Sequence, residues 1–193
     1  MQLKSIGLAI ATALTLGLGS SAQATLYTSA DVPVAICDLC TVSSTLTVNS
    51  HTIISDLNAL LNSLTHTFDS DLRISLIAPN ATTVVLSNLR GGGSDNFIGT
   101  VFDDEASTAI GSGSAPFTGS FRAEQLLSAF DGMDAFGTWT LRVQDQAAQD
   151  SGSINSWSLD INGTTQNVPE PGSLALVGMG LAGLAIARRR KSA

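Results

Sequence analysis

The stretch from Thr41 to Ile161 is divided into short runs rich in Val, Ile, Leu, Thr and Ser, with Gly, Asn, Asp or Pro between them. Several runs alternate apolar and polar residues; in DLRISLI, for example, Leu72, Ile74 and Leu76 are separated by polar side chains. Alternation with a period of two is typical of a strand that is buried on one face. Many short strands separated by turn residues predict an all-β fold of the antiparallel β-sandwich class.

The two tryptophans belong to the same pattern. Trp139 alternates with Leu141 in TWTLRVQD, and Trp157 alternates with Leu159 in SWSLDI. Since their neighbours at a period of two are core residues, we expect both Trp side chains to be buried in the sandwich.

One segment has the opposite periodicity. In SDLNALLNSL, Leu57, Leu60, Leu61 and Leu64 follow the i, i+3, i+4, i+7 spacing of one helix face, and Ser55 could cap the first turn. Local rules alone therefore predict a helix in this segment.

The first 24 residues have the three parts of a secretory signal peptide. Lys4 gives the positive start, residues 6–18 form an apolar stretch, and Ala22 and Ala24 supply the small residues of a cleavage site. We expect an exported protein whose mature chain begins near Thr25. Residues 25–52 then form a lead-in to the main domain, with its first strand.

The lead-in contains both cysteines of the chain, Cys37 and Cys40. In an oxidising compartment we expect them to form a local disulfide. A redox-active Cys-x-x-Cys needs a strand before it and a helix after it, and neither is visible here. A zinc site would have to recruit His51 and His66 from loops that are far apart in sequence.

The body from Thr25 to Asn167 is strongly acidic. It carries fifteen Asp and Glu against four Arg and no Lys, a balance of −11. Such a surface repels polyphosphate, which argues against binding to nucleic acid. Clustered carboxylates favour hard cations, and calcium is the natural candidate in an exported protein.

Three segments resemble a single family in their order and spacing. They are THTFDSDLRISLIAPNATTVVL, GTVFDDEA and GSFRAEQLLSAFDGMDAFGTWTLRVQDQAAQDSGSINSWSLDI. Together they resemble the P domain that follows the catalytic domain of kexin-like and furin-like proprotein convertases and of many bacterial subtilisin-like proteases. The resemblance places a P domain at residues 53–162 and implies a jelly-roll β-sandwich of the galactose-binding-like class. It also implies that Leu57 to Leu64 is largely a strand and that His66 is a scaffold residue.

Bacterial P domains that resemble this one can carry calcium at loop carboxylates. The resemblance, together with the acidic body, implies calcium as a cofactor, although the spacing of the acids is not that of an EF-hand. Solvated loop acids are the alternative. The predicted ligands are Asp71, Asp103, Asp104, Asp145 and Asp150.

Catalytic patterns are weak in this sequence. It has two histidines and no Gly-x-Ser-x-Gly elbow, and about thirty residues between Thr25 and the P domain are too few for a subtilisin-like domain. Adjacent carboxylates in Asp103-Asp104-Glu105 would point to opposite faces of a strand. We therefore expect a non-catalytic module for protein interaction or stabilisation. A surface carbohydrate-binding module, and an accessory or remnant of a subtilisin-like protease, stay open as alternatives.

The tail, residues 163–193, resembles a second known element. Pro169, Glu170 and Pro171 precede a short apolar segment at residues 174–187, and four basic residues follow. This order resembles the PEP-CTERM sorting signal of Gram-negative bacteria, which implies processing by an exosortase-type enzyme and a place in the cell envelope, on the cell surface or in the exopolysaccharide. Fourteen helical residues span about 21 Å against a hydrocarbon layer of about 30 Å, so we expect a transient transmembrane hold.

Overall fold

The computed structural model describes residues 22–166, in which ten strands form two sheets. Three short 3-10 turns lie between strands, at Asp69–Asp71, Ile110–Ser112 and Leu127–Phe130. The strands are β1 Ala22–Thr28, β2 Val34–Ile36, β3 Thr41–Val48, β4 Thr52–His66, β5 Leu72–Ile77, β6 Thr83–Asn88, β7 Phe97–Phe102, β8 Phe117–Phe121, β9 Gly137–Asp145 and β10 Gly152–Thr165.

The first sheet has the order β1-β10-β4-β7-β8, with β2 also paired to β10, and the second has the order β3-β9-β5-β6. All pairings are antiparallel except that of β7 with β8. Long connections move the chain from one sheet to the other, so neighbours in a sheet are rarely neighbours in sequence. The all-β sandwich predicted from the sequence is confirmed.

The core consists of inward-facing residues from both sheets. Trp139 and Trp157 are at most 1% exposed, so the prediction that both tryptophans are buried is confirmed. Each indole N–H also has an acceptor, because Trp139 donates to the Ala135 carbonyl at 2.9 Å and Trp157 donates to the Ser44 hydroxyl at 2.7 Å. Burial of an indole without such a partner would cost free energy, so the two hydrogen bonds let the rings serve as core.

Strand β4 corrects the helix that the local pattern predicted, and it agrees with the strand that the resemblance implied. The chain is hydrogen-bonded on both sides there, to β10 and to β7, and a helix would lose both ladders. The register with β10 shifts near Ser55 and again near Asn62. An extra residue at each shift changes the spacing of buried side chains from two to three, so Leu57, Leu61 and Leu64 reproduce helical spacing within a strand.

The two ends of the chain fall partly or wholly outside the described residues. The predicted signal peptide lies outside them up to residue 21, and the predicted cleavage position after Ala24 falls within β1. The sorting residues Pro169, Glu170 and Pro171 and the apolar segment 174–187 also lie outside. Within residues 22–166, no helix is long and apolar enough to cross a membrane.

Candidate functional site

Carboxylates collect around a buried histidine at one end of the sandwich. The register pairs the end of β4 with the start of β10 in one sheet and the start of β5 with the end of β9 in the other, and the contact between His66 and Asp145 joins these two ends across the sandwich. Two of the acids belong to the 3-10 turn before β5, one ends β9 and one lies just before β10. We call this group the His66 cluster, and its members are His66, Asp69, Asp71, Asp145 and Asp150.

His66 and Asp145 form the centre of this cluster. His66 Nε2 lies 3.2 Å from Asp145 Oδ2, and both side chains are fully buried. The other ring nitrogen lies 2.9 Å from the Phe68 carbonyl and 3.2 Å from the Phe68 amide. In the tautomer that carries the proton on Nε2, Nε2–H donates to Asp145 Oδ2 and Nδ1 accepts from the Phe68 amide; Asp145 Oδ1 accepts from the Ala147 amide. The pair joins β4 to β9, which is the role of a scaffold residue.

Asp71 is nearly buried, with 8% of its surface exposed. Burial raises the pKa of its carboxyl, Asp145 and Asp150 raise it further by repulsion, and His66 opposes the shift. Within residues 22–166, no donor hydrogen-bonds this carboxylate, although the Asp71 carbonyl accepts from the Gln146 amide at 2.9 Å. A cation placed here would relieve the repulsion between three like charges.

Asp69 is the most buried acid of the cluster, with 0% exposure. Its Oδ1 accepts from the Asn96 amide at 2.9 Å, whereas Oδ2 is buried without a partner among the described residues. Burial raises the pKa of Asp69 to about 7, against the opposing effects of the Asn96 amide and His66. The loop above it must have glycine at one position, because a Cβ on Gly91, where φ is +107°, would lie 2.7 Å from Asp69 Cβ.

Asp103 and Asp104 occupy a different place in the fold. Asp103 Oδ1 accepts from the Glu105 amide at 2.7 Å, and the two oxygens of Asp104 accept from the amides of Leu127 and Ser128 at 2.9 and 2.8 Å. Both acids follow β7, whose last residue, Phe102, pairs with Ala59 of β4. Ala59 precedes His66 by seven residues along the strand. At about 3.3 Å per residue, roughly 20 Å separates them from the His66 cluster.

The predicted calcium ligands therefore divide into two groups. Asp71, Asp145 and Asp150 lie in the His66 cluster, and Asp103 and Asp104 do not, so a single ion with bonds of about 2.4 Å cannot bind both groups. In the part of the chain that the structure describes, no three His, Cys, Asp or Glu side chains are arranged to hold a metal ion.

Asp71 was among the calcium ligands predicted from the sequence, whereas Asp69 was not. Both lie in the stretch FDSDL, and only the fold distinguishes the one that is sealed beneath the glycine loop. The run RGGGSDN that follows was a signal that the chain passes close to another segment at this point.

Cys37 and Cys40 are joined by a disulfide in a turn between β2 and β3. The Cys40 carbonyl accepts from the Asp145 amide at 2.8 Å. The disulfide loop therefore lies against the end of β9 and borders the His66 cluster.

A second histidine pair lies elsewhere and is exposed. His51 Nδ1 is 2.6 Å from Asp134 Oδ2, and the ring stacks on Phe136 with centroids 4.2 Å apart. The hydrogen bond with His51 lowers the pKa of Asp134 against the effect of burial. The neighbouring Ser50 hydroxyl bonds Tyr27 and Thr52 instead of His51, so residues 22–166 contain no Ser-His-Asp arrangement at this position.

Comparison with known proteins identifies two elements in the chain. A family model of the proprotein convertase P-domain matches residues 55–161, and a model of the PEP-CTERM protein-sorting motif matches residues 167–191. Among curated proteins, leupeptin-inactivating enzyme 1 of Streptomyces exfoliatus is 33% identical over 132 residues, which is 68% of this chain and 24% of that protein. The calcium-dependent protease of a Nostoc species is 30% identical over 134 residues, 68% of this chain and 17% of that protein.

The chain thus spans about a quarter or less of the length of these relatives. Among solved structures, a serine protease of Aeromonas sobria is similar with a TM-score of 0.48 and 20% identity, over 78% of this chain and 28% of the protease chain. The complex of that protease with the chaperone ORF2 gives a TM-score of 0.49 and 22% identity, over 75% and 27%.

Proposed function

This chain belongs to the proprotein convertase P-domain family, and from that membership we propose that it is a non-catalytic accessory module that acts at the cell envelope or surface of a Gram-negative bacterium. The observation that carries the proposal is the pairing of a P domain with a PEP-CTERM protein-sorting motif directly after it. In this role the sandwich stabilises or binds a partner protein, for which a protease is the first candidate.

The absence of a catalytic role is supported by how the polar groups are used. His66 and Asp145 are fully buried in a pair that links two strands, where no substrate could reach them. Asp104 uses both oxygens on backbone amides. In residues 22–166, His66, Asp145 and Asp104 thus hold loops and strand ends in place.

The sorting motif supports export and processing. We propose that an exosortase-type enzyme recognises Pro169, Glu170 and Pro171 while the short apolar segment 174–187 holds the chain in the membrane. Because fourteen residues in a helix would span only about 21 Å, this hold suits a transient intermediate better than a permanent anchor.

Recovery of the native protein tests the proposed function. The full chain, tagged within the acidic body and expressed in its native host, should be found in the envelope or medium, with its N-terminus near Thr25 and its C-terminus before Leu174 by mass spectrometry. A secreted protease should co-purify with it. A cytoplasmic protein with an intact Arg188–Ala193 end would contradict export and processing, and hydrolytic activity of the purified chain would contradict the accessory role.

We propose that calcium stabilises the His66 cluster. The support is the chemistry of the donors: Asp71 and Asp150 offer carboxylate oxygens beside Asp145, whose own two oxygens bond His66 and the Ala147 amide. The Asp71 carboxylate has no donor in residues 22–166 and is repelled by the other two. These side chains are not preassembled as a three-group metal site. Calcium coordination accepts backbone carbonyls and water, which could complete the shell.

Removal of calcium should lower the melting midpoint of the native protein. At free calcium ten times the dissociation constant, binding contributes about 1.4 kcal/mol, a shift of roughly 3–6 °C for a domain of this size. Differential scanning fluorimetry with calcium or with excess chelator measures the shift. Asp71→Asn should remove the calcium response, and Asp104→Asn, the matched control, should keep it.

If Asp104→Asn removed the calcium response and Asp71→Asn kept it, the ion would bind at the predicted ligands Asp103 and Asp104. An unchanged midpoint with chelator would contradict calcium stabilisation altogether.

A further inference from the structure

The outer face of the second sheet carries two arginines that the acidic body leaves unpaired. Strand β5 places Arg73 and Ser75 on this face, because the intervening Ile74 is in the core. In the register of β9, Gln144 is opposite Arg73 and Arg142 is opposite Ser75. The residue of β6 opposite Arg73 is Asn88. We call this group the arginine face, and its members are Arg73, Ser75, Asn88, Arg142 and Gln144.

The four arginines of the acidic body differ in whether their guanidinium groups have partners. Arg90 pairs with Glu124 at 2.5 Å, and Arg122 donates to two backbone carbonyls, of Ala106 and Ser107. Arg73 and Arg142 take part in no hydrogen bond or ion pair within residues 22–166, and the Nε of each is buried without a partner. The body contains fifteen acids, and in the described part of the chain none of them pairs with these two guanidinium groups.

The hydroxyl between them is also unsatisfied. Ser75 is 0% exposed, and its Oγ has no partner in the described part of the chain. Arg73 and Arg142 are diagonal neighbours across β5 and β9, with Cα atoms about 7–8 Å apart, so their charges repel each other. Buried polar groups in a folded protein normally have partners, so three adjacent exceptions distinguish this face; the Ser75 hydroxyl is fully covered, and a ligand from outside would meet the terminal nitrogens of the two arginines.

A shallow cavity of about 220 Å³ opens at the edge of this face. It is lined by Arg73, Val85, Asn88, Glu124 and Gln125. The Glu124 carboxylate is held by Arg90, and the Gln125 Oε1 accepts from the Val85 amide at 2.8 Å. The cavity thus offers one free cation beside amide groups.

We propose that the arginine face binds a carboxylate-bearing polysaccharide, with uronic acid units as the recognised chemistry. Guanidinium groups bind carboxylates through their N–H donors, and the amides of Asn88 and Gln144 suit the hydroxyl groups of sugars. A densely charged polymer such as polyphosphate would be repelled by the body, whose balance is −11. A polymer with one charge per sugar matches two arginines better, and no aromatic platform is needed.

This inference rests on the proposed function only through export, because such polymers are found outside the cell. Its test is independent of export. Isothermal titration of the purified full chain with oligogalacturonate at low ionic strength should give saturable binding, and the methyl-esterified oligomer, which has lost its charge, should not bind. Arg73→Gln and Arg142→Gln should each weaken binding about tenfold or more, because each removes a charge-assisted hydrogen-bonded pair.

Arg122→Gln is the matched control, since it removes the same charge from a different face and should leave binding within about twofold. Arg73→Lys should recover part of the binding if the charge matters, and melting curves should show that every variant is folded. Equal binding of the methyl ester, or equal weakening by Arg122→Gln, would overturn the proposal. Binding of poly-glutamate or inorganic phosphate in preference to oligogalacturonate would overturn the polysaccharide assignment, and no binding at millimolar oligomer would overturn the site.

Discussion

Replacement of Gly152 by alanine is expected to destabilise the protein by about 3 kcal/mol or more and to lower its melting midpoint by roughly 10 °C. A Cβ on this residue would overlap the Thr65 carbonyl oxygen and would lie 2.9 Å from His66 Cα. Both are parts of the backbone of β4, so the overlap cannot be relieved by turning a side chain. The strands β4 and β10 would have to separate where the His66 ring is also 2.9 Å from the added atom.

Thermal or urea unfolding of the two proteins measures this effect. Gly111→Ala is the matched control, because the atoms near its Cβ belong to the end of the Arg90 side chain, at 3.1 Å or more, and can move. Its midpoint should stay close to that of the wild type. If Gly152→Ala melts within about 1 °C of the wild type, β10 does not approach β4 as closely as the structure indicates.

The fold was largely predictable from the sequence because most strands alternate regularly. Trp139 and Trp157 were placed in the core by their apolar neighbours at a period of two, and both are buried. Strand β4 shows where this reasoning fails. Its register shifts turned the spacing of Leu57, Leu61 and Leu64 into a helical one, so the local pattern predicted a helix, whereas the family resemblance and the pairing on both sides identify a strand.

The candidate site was less predictable because strand ends that are distant in sequence meet in space. The sequence named five acids, and the fold separates Asp103 and Asp104 from the other three by the length of half a strand. Sequence spacing could not reveal this division, since sheet order decides which loops share one end of the sandwich. The same reason explains why the diagonal pair Arg73 and Arg142, 69 positions apart, had no signal in the sequence.

Asp69 is expected to make the free energy of unfolding depend on pH. A buried carboxyl without a full set of partners lowers the stability of the protein when it is charged. Its pKa in the folded state is about 7, whereas an unfolded chain has the ordinary value of 3.8. Between these values the folded state binds more protons than the unfolded state, so the contribution of this group to stability falls as pH rises. The stability is fully present below about pH 4 and is lost by about pH 8.

Asp69→Asn should therefore stabilise the protein at pH 8, by about 2–4 kcal/mol, and should have little effect near pH 4. Asparagine keeps the shape and the oxygen that accepts from the Asn96 amide, and it removes the charge from the site under the glycine loop. Urea unfolding of both proteins at several pH values gives the difference directly. Asp160→Asn removes the same charge from strand β10 outside the cluster and serves as the control for net charge.

The pH profile of the difference separates burial from other causes. A gain that grows from pH 5 to pH 8 only in Asp69→Asn follows from the buried carboxyl. A constant gain would mean that shape or net charge is responsible, and a loss at pH 8 would mean that the Asp69 carboxylate is favourably bound there. In that last case a cation at Asp69 becomes the physical explanation, because the desolvation of a carboxylate is offset by hydrogen-bond donors or positive charge, and the described residues supply one hydrogen-bond donor, the Asn96 amide.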